Sequence, residues 1–460
     1  MGNFWDYSVW GSINLIAVLL ISLLAANVLK RWIRPLRRSL IPTSVLGGMM
    51  LLLVSFVFRQ ASGAEMFDTA FFGATGSDML EIITYHALAL GFIASALRPG
   101  HGKLGPKRVR EIFNTGVTTV STYLLQGIAG LAVTLAAAAV MPGFFRAAGI
   151  LLPFGYGQGT GQALNYGGIY EADYGFIGGK SFGLTIAALG FLSASLGGVC
   201  YLALLRRRGK IAPPAEQEEA LRSEEIQASG EIPMQASMDK MTVQIALTAL
   251  AYLIAYLLMS LLGRLLPGMR SVIFGFNFLL GVLSAVLLRS LLSGLKKAGL
   301  VHREYINGFL MTRVSNFCFD LMVVAGVAAI RLRVLKDYWG VILVLGAVGL
   351  VLTLAYNHLT ARLLFPEYPQ EQFLMMYGML TGTASTGIIL LRELDPDFRT
   401  PASENMVYQN FPAIVFGFPM MLLATLAPRK PVLTLILLCA FFLFMNLILF
   451  RSLFRRRKGR

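Results

Sequence analysis

The sequence predicts an all-α polytopic membrane protein: two inverted five-helix repeats, each with a broken or re-entrant segment, plus one extra C-terminal helix. Three observations carry this. Of 460 residues, 56% are hydrophobic and only 14% charged, where a soluble domain carries about 25% charge. Apolar runs of roughly 20 residues, the length that crosses a bilayer as a helix, recur along the chain. Two stretches, Pro153 to Gly168 and Tyr377 to Gly387, interrupt that pattern late in each half with glycines and small polar side chains.

The net charge of +16 does not point to nucleic acid. The basic residues cluster in loops between apolar runs, as positive-inside topology requires. No secretory signal peptide is expected, because no small-residue cleavage site follows the first apolar run. Cys200, Cys318 and Cys439 lie in or beside apolar segments without a CxxC pair, which reads as packing rather than metal ligation or a disulfide framework.

The first span runs about Trp10 to Leu29, and Lys30, Arg31, Arg34, Arg37 and Arg38 follow it. That places the loop in the cytoplasm and the N-terminus outside. The second span, about Thr43 to Phe58, opens with Gly47-Gly48, small residues that admit close helix contact. The third, about Met79 to Leu97, returns to Arg98, Lys103, Lys107, Arg108 and Arg110. The fourth lies within about Ile112 to Val140, and the fifth is about Ser181 to Leu205, ending at Arg206, Arg207, Arg208 and Lys210. Residues 1–205 form the first membrane repeat. Residues 206–240, rich in proline and glutamate, read as a polar cytoplasmic linker.

The second repeat covers 241–427, with spans at about Met241–Leu262, Val272–Leu288, Asn316–Ile330, Trp339–Leu359 and Met406–Leu426. Five spans per half is an odd number, so the second half runs inverted relative to the first. The first interruption then opens outward and the second inward. Residues 428–460 add a span at about Val432 to Leu449 and a basic cytoplasmic tail suited to anionic lipid. Arg331, Arg333, Lys336, Arg429 and Lys430 fall on the expected outer side, against the trend.

Paired interrupted segments at corresponding positions point to the binding site of a secondary transporter. Tyr156-Gly157 before Gly159-Thr160-Gly161 matches Tyr377-Gly378 before Gly382-Thr383-Ala384. The candidate substrate-binding residues are Gln158, Thr160, Gln162 and Asn165 in the first interruption and Thr383, Ser385 and Thr386 in the second. Asn410, beside Pro412, joins them or marks a simple kink. Thr160, Thr381 and Asp320 are candidate ligands for a coupling sodium ion. Backbone N–H groups at half-helix starts suit an anionic substrate group. The alternative is that these side chains satisfy one another in small-residue packing. His86 and Asp320 occupy equivalent positions in the third and eighth spans, and Arg313 is a candidate partner for Asp320. Ionisable residues within spans are costly and often functional. No phosphate-loop lysine follows the glycines, and no triad or metalloprotease signature is present. The chain therefore does not read as an enzyme, and no organic cofactor is implied.

The interruptions also carry a resemblance. Ile41-Pro42 with Gly47-Gly48, Gly157 to Gly161, Glu171 to Phe176 and Gly382 to Thr386 resemble the bacterial sodium/glutamate symporter family over about residues 10–427. Gln158 stands where that family tends to have histidine, and no proline occurs between Gly382 and Thr386. The resemblance implies sodium-coupled uptake of glutamate or a related small carboxylate, and a homodimer with an elevator-like transport domain. It also implies a place in the bacterial inner membrane. Two rivals remain: a proton-coupled carrier or exporter of another organic anion, and a non-transporting membrane scaffold or sensor.

Overall fold

The computed structural model describes residues 3–38, 40–98, 105–208, 231, 238–395 and 399–457. The side chains of residues 37, 38, 268, 271, 272, 385, 411 and 452–457 fall outside that description, and so do most of the expected linker and His101. Every long element is helical. In hydrocarbon each backbone polar group needs a partner within the protein, and a helix supplies it locally.

In chain order the helices are α1 (Tyr7–Trp32), α2 (Thr43–Ser62), α3 (Gly76–Leu97) and α4 (Pro106–Val140). Two short pieces follow, α5 (Leu151–Tyr156) and α6 (Gly159–Tyr174), and then α7 (Gly179–Arg207). After the linker come α8 (Lys240–Leu265), α9 (Asn277–Lys297), α10 (Gly308–Ala328) and α11 (Trp339–Leu364). The chain continues with α12 (Pro369–Thr381), α13 (Ala384–Arg392), α14 (Ala402–Tyr408), α15 (Asn410–Leu426) and α16 (Pro431–Arg457). Among the described residues ten helices are long and apolar enough to cross a membrane, and α14 with α15 makes an eleventh, bent by 52°. The expected spans are all present.

Several span boundaries differ from expectation by a few residues, and two of the starts show a local cause. The span expected at 272–288 is α9, which starts at Asn277 after a short helix over Arg270–Gly275. Asn277 is fully buried and donates from Nδ2 to the Tyr85 carbonyl at 3.1 Å. The span expected at 316–330 is α10, which starts at Gly308 because the Asn307 side chain accepts from the Leu310 N–H at 2.7 Å. That bond satisfies a first-turn donor as an N-cap does.

The contacts divide the chain into two units: residues 1–81, 104–214 and 323–460, and residues 82–103 and 215–322. In the second unit Ile93, Ala94 and Leu97 of α3 pack with Ala251 of α8, Ala285 of α9 and Met311 of α10. Lys240 is fully buried and pairs with Glu231 at 2.7 Å. In the first unit α4, α7 and α11 are the long helices around which the short pieces fold. Arg331, one exception to the charge trend, meets Asp78 at 3.2 Å, and Lys180 meets Glu81 at 2.6 Å. Arg429 lies over the Tyr174 ring at 5.8 Å.

Candidate functional site

Both interruptions are helical hairpins within the first unit. In the first, α5 ends at Tyr156, Gly157 and Gln158 form the turn, and α6 begins at Gly159. Gly159 has φ +80°, a conformation open to glycine at little cost and to other residues at a penalty. Phe154 of α5 stacks on Tyr166 of α6 with centroids 3.8 Å apart. In the second hairpin, α12 and α13 meet through Gly378 and Gly387. A methyl added at Gly387 would lie 2.6 Å from the Met375 carbonyl.

The 35-residue α4 measures both hairpins. At about 1.5 Å per residue it is roughly 50 Å long. The base of the first hairpin is at its C-terminal end, where the Thr134 hydroxyl donates to the Arg146 carbonyl at 2.8 Å and accepts from the Gly149 N–H at 3.2 Å. The first hairpin's turn is further back, where the Tyr123 hydroxyl donates to the Gly157 carbonyl at 3.1 Å. The base of the second hairpin is at the other end, where Lys107 meets Glu367 at 2.6 Å. Gln372 Nε2 then reaches Thr115 Oγ1 at 3.1 Å, and at the turn Gln126 Nε2 reaches the Leu380 carbonyl at 2.9 Å. The two hairpins enter from opposite ends of α4, and their turns meet beside its middle, at Tyr123 and Gln126.

A third helix holds both turns. A methyl on Gly190 of α7 would come within 2.4 Å of the Thr381 carbonyl and 3.2 Å of the Tyr156 ring. Three residues on, Ser193 bonds both matched tyrosines. Its hydroxyl lies 2.9 Å from the Tyr156 hydroxyl, and its carbonyl accepts from the Tyr377 hydroxyl at 2.7 Å. Tyr156 also donates to the Gly346 carbonyl of α11 at 2.6 Å.

The predicted residues fall in three groups. Thr160, Gln162 and Thr381 are buried at or beside the turns. Gln158 is the N-cap of α6 with no side-chain capping bond, and Asn165 sits one turn beyond Gln162, its Nδ2 3.5 Å from Gln162 Oε1. Thr383 and Thr386 cap the start of α13 reciprocally, Thr386 N–H to Thr383 Oγ1 at 3.3 Å. The Ser385 side chain lies outside the described residues. Asn410 opens α15, its Oδ1 accepting from Gln409 Nε2 at 3.0 Å. Pro412 falls in the first turn of α15, where its missing N–H removes no helical bond. The proline inside this helix is Pro419. Asp320 and His86 belong to the second unit. Asp320 is exposed on α10, and His86 Nδ1 lies 2.6 Å from the Tyr252 hydroxyl. Arg313 stands over the Phe309 ring at 4.7 Å.

Further polar groups that the sequence does not flag line the hairpins, from the turns at Gln126 and Gln409 to the base of the second at Asn405. Gln126 bridges the second hairpin to Thr353 of α11 at 2.8 Å while its own Oε1 has no partner. Asn357 donates to the Thr353 carbonyl at 2.9 Å and leaves Oδ1 bare. Asn405 of α14 donates to Tyr368 Oη at 3.0 Å and Gln372 Oε1 at 3.1 Å, and its Oδ1 is bare. Burial pushes the Tyr368 phenol well above its usual pKa, so it stays neutral as a partner for Asn405. Gln409 Oε1 is also bare. In each of these four amides the nitrogen is engaged and the oxygen is buried without a donor, at a cost of about 1–3 kcal/mol apiece. The reverse holds on α6, where Gln162 Nε2 is a buried donor with no acceptor. The signal that could have found Gln126 was a polar stripe, Thr115, Thr118, Thr119, Thr122 and Gln126, on one face of an otherwise apolar span.

Unmatched amide oxygens suit a cation, and an unmatched amide N–H beside a helix start suits an anion. Among the described residues no three His, Cys, Asp or Glu side chains gather as for a metal, so an ion here would be met by neutral oxygens. These features define a class: a multi-spanning α-helical membrane protein, with an architecture consistent with a transporter. No protein-family model matches the chain, and no curated protein matches it.

Proposed function

We propose that the protein is a sodium-coupled secondary transporter for a small carboxylate, glutamate or a close relative, working by alternating access as a homodimer in a bacterial inner membrane. The reading rests on one observation: two helical hairpins enter from opposite ends of α4, and their turns meet beside buried amide oxygens that lack donors. Broken helices meeting at mid-membrane depth are the usual ground of a transporter site. The substrate carboxylate would lie at the start of α6, near Gln158, Thr160 and Gln162. Sodium would take oxygens from the Gln126 and Asn357 region, with Thr381 and the freed carbonyls at the end of α12. The two inverted repeats, with the N-terminus outside and the C-terminus in the cytoplasm, belong to the same reading, as does the family resemblance.

The test is uptake of labelled glutamate and related carboxylates into proteoliposomes under imposed sodium or proton gradients. Accumulation driven by the sodium gradient is the expected result. Accumulation driven only by protons assigns the coupling to protons, and no flux under either gradient overturns the transporter reading. Thr160→Val is expected to lower uptake while leaving membrane insertion intact. Asn357→Leu removes one bare oxygen and a bond within its own helix. It is expected to raise the half-saturating sodium concentration about tenfold, the equivalent of about 1.4 kcal/mol of ligand energy.

A further inference from the structure

A cavity of about 380 Å³ opens where α7 and α11 end and α12 begins, all within the first unit. That volume is in the range of ligand sites. Its walls include Tyr201, Arg208, His358, Arg362 and Gln370. Arg208 and Arg362 are exposed, and neither guanidinium enters an ion pair among the described residues. Arg206, two residues before Arg208, is by contrast matched by Glu393 at 2.7 Å. The floor is aromatic: the Tyr201 ring lies 4.5 Å and the His358 ring 5.1 Å from the buried Phe373 ring. Leu204, 42% exposed, continues from the rim along the outer face of α7.

We propose that this cavity binds the headgroup of an anionic glycerophospholipid, the phosphate clamped between Arg208 and Arg362 and an acyl chain lying along Leu204. Two unpaired guanidinium groups offer planar forks that match phosphate oxygens. Gln370 is the second residue of α12, whose Tyr368 N-cap makes no side-chain capping bond. Its N–H therefore adds a donor without a helical acceptor to the same wall. The basic loops assign this end of α7 to the cytoplasmic leaflet, where pockets of this kind between helices meet anionic headgroups. The location also couples the lipid to the base of the second hairpin, since Pro369 and Gln370 open α12.

Native mass spectrometry of the full chain in detergent tests the site, with titration of phosphatidylglycerol, phosphatidylcholine and inorganic phosphate. Wild-type protein is expected to retain phosphatidylglycerol over phosphatidylcholine. The pair Arg208→Gln and Arg362→Gln is expected to weaken that binding at least tenfold, and each single change to give part of the loss. Lys297→Gln, removing an exposed charge at the end of α9, should leave binding unchanged. Equal retention by the double variant, or equal binding of both lipids, overturns the proposal. Displacement of the lipid by millimolar inorganic phosphate also overturns it, assigning the cavity to a soluble phosphate. Each outcome is independent of whether the protein carries glutamate.

Discussion

At the scale of single residues, the interruptions depend on a few atoms with no freedom to change. Gly159 holds φ +80° at the start of α6, and a Cβ there costs about 1–2 kcal/mol. Gly159→Ala is expected to lower the unfolding midpoint and cut uptake together. A variant with lower stability and unchanged uptake would separate that turn from the site. Thr383→Val removes the hydroxyl that accepts from the Thr386 N–H, worth about 1 kcal/mol as an N-cap. It is therefore expected to reduce protein yield as well as activity, unlike Thr160→Val. This scale was partly legible in the sequence. Thr160, Gln162 and Thr381 lie buried at or beside the turns, in the neighbourhood that the glycines flag. Gln126, Asn357 and Ser193 are not flagged, because each stands on a polar face of a long, mostly apolar helix, and composition averages such a face away.

At the scale of elements, the hairpins are the main finding and they were largely readable. A glycine-rich polar stretch cannot span as a plain helix, so a break was forced, and the odd span count gave the two breaks opposite entry directions. The distances along α4 put the bases at Thr134 and Lys107. Single cysteines at Ile177, which is 73% exposed, and at Glu367 should therefore react with an impermeant thiol reagent from opposite sides of sealed vesicles. Labelling of both from one side would refute the arrangement. Span starts were less legible. Hydropathy starts α10 at Asn316 and not at Gly308, because the Asn307 cap is one hydrogen bond at a helix start and leaves no trace in a hydropathy average.

At the scale of the whole molecule, counting spans was straightforward because bilayer thickness fixes helix length. How the helices group was not, since the units gather pieces distant in sequence. The final helix illustrates this. From sequence it looks like an addition with no counterpart in the first half. In the structure Asn446 of α16 accepts from the Tyr356 hydroxyl of α11 at 2.8 Å, and Arg451 lies over the Phe113 ring of α4 at 4.9 Å. It braces the two helices that flank the hairpin turns. Truncation after residue 428 is expected to lower thermal stability in detergent, and Asn446→Leu alone to cost about 1 kcal/mol. A truncated protein with an unchanged unfolding midpoint would show α16 to be a passive appendage.

Ser193 has one more consequence. Because Ser193 of α7 bonds Tyr156 of one hairpin and Tyr377 of the other, the two hairpins cannot part without breaking a shared joint. A carrier that let both sides stand ajar would short-circuit the gradient it runs on. If the protein carries a solute as proposed, this joint ties its two gates together, and no timing between separate locks is required.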